Sequence, residues 1–246
     1  MAEAFFWGAL GAGALLLGAV IAYELHPGRR VIAVVMALGT GLLIGSVSFE
    51  LIDEALETQT VGWVALLLLV GALVFTLGDW VLEGMGGSER KDPTGKQAEG
   101  SPLGIVLGSI LDGIPESFVL GLSVLQGGVS VALLGGVALS NLPEGMASSS
   151  GLEEAGWPKR RVLLMWSAVV LVSAVAAALG YVLLDPAGGR TGALVQAFAA
   201  GALLAMVADT LLPQAYAVEG VWTHARRDRV CDLDRAFGPL ALVPRT

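Results

Sequence analysis

Long apolar runs, separated by short polar or glycine-rich connections, recur along most of the chain. Seven of them approach or exceed twenty residues: Phe5–Tyr23, Val31–Leu51, Trp63–Leu82, Leu103–Leu125, Val129–Ser150, Val162–Leu184 and Ala193–Tyr216. A helix needs roughly 20 apolar residues to cross a hydrocarbon core about 30 Å thick. It also satisfies its backbone polar groups internally, which lipid demands. The pattern therefore predicts an all-α polytopic membrane protein, with seven recognisable spans forming one transmembrane domain over residues 1–217. Glycines recur in the first two spans, at Gly8, Gly11, Gly13, Gly18, Gly39, Gly41 and Gly45. They predict close helix packing, and Gly41-xxx-Gly45 fits the small-xxx-small pattern.

Composition agrees: 55% of residues are hydrophobic and 15% charged, against roughly a quarter charged in a soluble domain. All 14 Lys and Arg residues fall between the predicted spans or in the tail. Arg29 and Arg30 lie in the first connection, Arg90, Lys91 and Lys96 in the third, and Lys159, Arg160 and Arg161 in the fifth. The sixth has Arg190 alone, and the second is acidic, with Asp53, Glu54 and Glu57. The positive-inside rule then puts the N-terminus outside and the odd-numbered connections in the cytoplasm, in a plasma (inner) membrane. Residues 84–101, "GMGGSERKDPTGKQAEGS", predict a flexible cytoplasmic loop. Residues 218–246 read as a polar tail. Its five arginines exclude an eighth span, and its "LVPR" resembles a thrombin-cleavage sequence, as in a vector-derived or frameshifted end. Cys231 is alone, which excludes an intramolecular disulfide and a cysteine metal cage. A net charge of -8 without a basic surface gives no sign of a nucleic-acid partner; the lipid bilayer is the partner the composition implies.

Two of the spans carry the candidate chemistry. "LDGIPESFVLGLSVL" puts Asp112 and Glu116 in an apolar run with Pro115 between them, and "SNLPEGMASSSGL" repeats the design with Ser140, Asn141, Pro143 and Glu144. A carboxylate at mid-membrane costs a few kcal/mol, and such residues usually mark ion or proton pathways. With no basic side chain in any span, either protonation or a bound cation must neutralise them. Asp112 and Glu116 share a helix face, while Ser140 and Asn141 both lie a turn from Glu144. Each proline removes a donor from the carbonyl four residues back, Leu111 or Leu139, so both helices are expected to kink and expose a backbone oxygen. Facing one another, the two segments would form an oxygen-rich site for a divalent cation. Asp79 and Asp53, close to span ends, read as solvated caps. Glu153 and Glu154 read as interfacial, and Ser148–Ser150 and the tryptophans as packing or interface anchors.

These motifs resemble the ZIP family of divalent-metal transporters, particularly its bacterial, GufA-like members. In that family the fourth span typically reads His-Asn-x-Pro-Glu-Gly and the fifth x-x-x-Pro-Glu-Gly. The matching stretches here are Asp112-Gly113-Ile114-Pro115-Glu116-Ser117 and Ser140-Asn141-Leu142-Pro143-Glu144-Gly145. "ALGTGLLIGSVSFELIDEALE" from Ala37 and "FAAGALLAMVADTLLPQAYAVEG" from Phe198 are similar to its second and seventh spans. The resemblance implies that Glu116 and Glu144 bind metal, with Asp112, Ser140 and Asn141 at ligand-equivalent positions and Glu50 and Asp209 lining the routes in or out. Asp53, beside Glu50, is grouped with that pathway. It further implies import toward the cytosol by sliding of a four-helix bundle against the remaining helices, and homodimerisation. The departures are specific. Asp112 and Gly113 replace the family's His-Asn, Ser173-Ala174 stands where its sixth span carries Glu-Pro, the third loop has no His-rich stretch, and the eighth span of the family is missing. Loss of the imidazole predicts all-oxygen ligation, which suits manganese, magnesium or iron(II) while still accepting zinc. Loss of the sixth-span carboxylate predicts a single ion.

The expected function is thus transport of a divalent metal (zinc, manganese, iron or cadmium) as substrate, without a cofactor. The alternatives are a proton-coupled carrier of another substrate, with the same acids as relays, and a non-transporting regulatory relative. An intramembrane metalloprotease would want two histidines on one helix face. His26 and His224 both lie outside the spans, so no enzyme is expected.

Overall fold

The computed structural model describes residues 1–83, 102–125, 127–183 and 190–217. Every regular element among them is helical: α1 (Ala2–Leu25), α2 (Arg29–Ser46), α3 (Asp53–Thr58), α4 (Val61–Glu83), α5 (Pro102–Leu125), α6 (Val131–Glu154), α7 (Lys159–Leu183), α8 (Arg190–Met206) and α9 (Leu212–Ala217). The predicted loop 84–101 and the tail 218–246 lie outside the described residues, as does the end of the sixth predicted span. Among the described residues, six helices are long and apolar enough to cross a membrane, counting α2–α3 and α8–α9 as continuous spans. The remaining predicted span, the fifth, is α6, which has the length, 24 residues, but not the apolarity. Its polar residues face protein instead of lipid: Ser140, Asn141, Glu144, Ser148 and Ser149 are all buried.

Both α2 and α8 widen into a π-helical turn, Val47–Ile52 and Val207–Leu211, before resuming as α3 and α9. The acidic stretch Asp53–Glu57, expected as a connection, therefore extends the second span as a helix. The two elements repeat one design. Leu43, Val47, Leu51 and Ala55 form a buried ladder in α2–α3, and Leu203, Val207, Leu211 and Ala215 form its counterpart in α8–α9. The two π turns fall at the same place in the ladder, and α3 packs on α8 as α9 packs on α2.

Helix α6 runs along both α1 and α2, α7 along α1 and α5, and α4 along α8. Glycine sets the closest of these approaches. A β-carbon on Gly18 would overlap the carbonyl of Leu142, and one on Gly145 would overlap that of Leu15. The α1–α6 crossing is thus reciprocal, backbone against backbone, as small-residue packing allows. Gly71 of α4 and Gly201 of α8 make a second such pair. By contrast, Gly41 and Gly45 meet nothing within 4 Å, so this expected motif packs against no helix among the described residues.

Neither in-helix proline ends its helix. The carbonyl of Leu139, which Pro143 cannot serve, faces the backbone of α2 at Gly39, so that oxygen is turned toward a neighbouring helix. At one end of the bundle Tyr23 donates to the Trp157 carbonyl at 2.7 Å. There Lys159 pairs with Glu24, and His26 lies 3.3 Å from Glu153. These contacts join the α1–α2 turn to the α6–α7 turn, so the basic first and fifth connections share one end.

Candidate metal-ion site

Helices α5 and α6 run antiparallel and meet along a polar seam. Ser109, Asp112 and Glu116 succeed one another at three- and four-residue steps, which places them on one face of α5. On α6 the same logic groups Ser140, Asn141 and Glu144. All six are buried; Asp112, Glu116 and Glu144 are each only 2% exposed. Two sets of hydrogen bonds lock the seam. The Glu116 carboxylate accepts from Ser140 Oγ at 3.0 Å and from Asn141 Nδ2 at 3.1 Å. One helical segment away, Glu144 Oε1 accepts from Ser109 Oγ at 2.6 Å. Asp112 lies between these two cross-links on the α5 face.

The donors differ in freedom. The Asn141 amide has two hydrogens and reaches Gly11 O of α1 at 3.4 Å as well as Glu116. Ser140 has one hydrogen and two acceptors within reach, Glu116 Oε1 and Val137 O at 2.9 Å. It can serve only one at a time.

The sequence-predicted residues are thus sorted by position. Glu116, Ser140 and Asn141 come together directly, and Glu144 is tied back to α5 through Ser109. Ser140 and Asn141, expected beside Glu144, spend their hydrogen bonds on Glu116 instead. Among the described residues, no three His, Cys, Asp or Glu side chains are grouped so as to hold a metal ion. Any cation site here must therefore draw on hydroxyl and amide oxygens or on movement of the carboxylates.

Glu50 and Asp53 lie apart from the seam. They line a cavity of about 380 Å³ with Glu54, Glu57, Ser123, Ser130 and Gln196. Ser130 caps the start of α6 by accepting from Leu133 N at 2.9 Å, and donates to Glu50 Oε2 at 2.5 Å. Gln196 of α8 donates to Glu54 at 2.9 Å. Asp209, in the second π turn, is exposed and does not line this cavity. At the opposite end, His26, Arg29, Ala147, Ser150, Glu153 and Glu154 line a cavity of about 340 Å³. The buried acids line neither cavity. Ala147, at the floor of the second, is less than one helical turn along α6 from Glu144.

Four features escaped the sequence reading. Ser109 carries no charge and sits outside the Pro-Glu motifs. The π turns have no glycine or proline to mark them. Ser130, taken as part of the predicted fifth span, lies just before α6 as its N-cap. Asp79, expected to be a solvated cap, is 2% exposed within α4; its position near a span end concealed that α4 packs along α5 and α8. The serines of α6 do pack as expected: Ser149 accepts from Trp166 Nε1 at 2.9 Å.

No protein-family profile matches the chain. It is similar to a protein of Arabidopsis thaliana named "Putative zinc transporter", at 31% identity over 214 residues. The match covers 83% of this chain and 33% of that protein. The chain thus spans about a third of the length of the curated relative it matches. With its apolar helices, this likeness defines the class. The chain is a multi-pass membrane protein.

Proposed function

We propose that the chain is a ZIP-type, GufA-like transporter that carries a divalent metal ion as substrate into the cytosol. The observation that carries this reading is the α5–α6 seam, where three buried acids share one interface with hydroxyl and amide groups. Asp112, Glu116 and Glu144 supply the charge, and Ser140 and Asn141 complete the oxygen shell. Zinc is favoured as a substrate by the name of the Arabidopsis relative, and manganese and iron(II) by the all-oxygen donor set.

The mechanism follows from the hydrogen bonds. With no ion, Ser140 and Asn141 hold Glu116 and Ser109 holds Glu144. An arriving cation competes for the same carboxylate oxygens. Ser140 turns its hydroxyl hydrogen bond to Val137 O and a lone pair toward the ion, so its own buried donor stays satisfied. The outer acids Glu50, Asp53, Glu54 and Glu57 concentrate cations at one mouth, and the cavity below Glu144 gives the other. Pro115 and Pro143 are the points at which α5 and α6 bend. Helices α1, α5, α6 and α7 move as a group against α2, α4 and α8, in a plasma-membrane protein with its N-terminus outside that dimerises.

Reconstitution of the full chain into vesicles tests this reading. Uptake of Zn²⁺, Mn²⁺, Fe²⁺ or Cd²⁺ that is abolished by Glu144→Gln supports it, and uptake at the unaltered rate removes Glu144 from the mechanism. A second reading, a proton-coupled carrier of another substrate, is favoured by one observation: among the described residues no three acidic or histidine side chains converge as ligands. Flux that persists at saturating chelator and follows the pH gradient would select it.

A further inference from the structure

The hydroxyls of this membrane protein have a common habit. Thr40, Ser46, Ser123, Ser167 and Thr210 each donate to the carbonyl four residues back in their own helix, at 2.7–3.1 Å. Such back-bonding is the default for a serine or threonine within a helix. Ser109 departs from it. Its hydroxyl crosses from α5 to α6 and donates to Glu144 Oε1 at 2.6 Å, with both residues 2% exposed. The bond is short because its acceptor is a carboxylate, and a charge-assisted bond outcompetes the local carbonyl.

We propose that Ser109 is a positioning residue that holds the Glu144 carboxylate against α5, the helix of Asp112 and Glu116, and thereby limits the size of cation the seam accepts. The proposal rests on the reading of the seam as a cation site. The geometry supports a role in orientation. Glu144 sits four residues after Ser140 and three after Asn141, both of which are engaged with Glu116, so the restraint from Ser109 comes from the opposite helix. Without it Glu144 loses a restraint from the facing helix. A restrained carboxylate favours small ions with ligand distances near 2.0–2.1 Å over calcium at about 2.3–2.6 Å, whose sites are more flexible.

The test uses the full chain in vesicles, with Zn²⁺ and Mn²⁺ as transported probes and Ca²⁺ as competitor. Ser109→Ala should raise the half-saturating concentration of the transported ion about tenfold or more, the usual fold-change for losing a hydrogen bond to a charged group. The maximal rate should stay within about twofold, and Ca²⁺ should compete better than before. Ser109→Thr, which keeps the hydroxyl, should restore both affinity and discrimination. An unchanged half-saturation in Ser109→Ala, a fall in maximal rate alone, or a Thr variant as impaired as the Ala variant would each overturn the proposal. Glu144→Gln separates the two levels of inference. If Glu144→Gln abolishes flux while Ser109→Ala behaves as the unaltered chain, only the role of Ser109 fails. If Glu144→Gln transports normally, the cation-site reading itself fails.

Discussion

Two groups of acids in this chain are handled in opposite ways. Asp112, Glu116 and Glu144 are buried between helices, and the two glutamates accept hydrogen bonds from the helix facing them. Glu50, Asp53, Glu54 and Glu57 crowd the rim of an open cavity. Only Glu50 and Glu54 among them show a bond to a neighbouring element, through Ser130 and Gln196. The first arrangement fixes direction and distance, which is what selective binding requires. The second supplies charge density without geometry, which attracts ions but does not discriminate among them. Equal formal charge thus suits two different purposes, and the surroundings decide which.

That contrast can be broken at several points. The largest effect is expected inside: Glu116→Gln should reduce metal flux by about two orders of magnitude or more, since a buried charged partner is lost. Flux in vesicles is the readout, and a loss of less than tenfold would put the seam outside the transport path. Asn141→Ala comes next. Removing one donor to a carboxylate should weaken binding roughly tenfold, measured as the half-saturating concentration. At the α1–α6 crossing, Gly145→Ala drives a methyl group into the Leu15 carbonyl. It should cost about 1–3 kcal/mol in stability, read as a lower melting temperature in detergent, whereas Gly41→Ala, with open space around it, should be silent. In the outer cavity, Glu50→Gln should slow uptake only about two- to fivefold at low ionic strength, and the difference should vanish near 1 M salt, where the screening length is about 3 Å. Persistence of the effect at high salt would move Glu50 from attraction to direct binding. The smallest effect is expected for Lys159→Ala, which removes an exposed pair with Glu24 and should leave flux and melting temperature unchanged.

Much of the fold was legible because lipid imposes one rule on every span: length and apolarity. That rule fails where a helix meets protein. Helix α6, read from the sequence as one apolar run among seven, carries too many polar groups to meet that criterion, yet it lies at the centre of the bundle. The charges of Asp53, Glu54 and Glu57 looked like a loop, whereas in the structure they decorate a helix that projects beyond its π turn. A π turn adds one residue to a helical turn without needing any particular side chain, so neither the Glu50 nor the Asp209 turn had a composition to betray it. Within the candidate site the acids were readable because an ionisable group in a span is rare. Their partners were not, since Ser109 differs from the back-bonding serines only in which acceptor stands across the interface. Asp79 shows the same limit: closeness to a span end says nothing about which neighbour covers it.

The reciprocal contact of Gly18 with Gly145 bears on how such a bundle could work at all. Two rods touching main chain to main chain have no layer of mobile groups between them to act as a lubricant. Such a crossing holds α1 and α6 in register, like a splint bound along a limb.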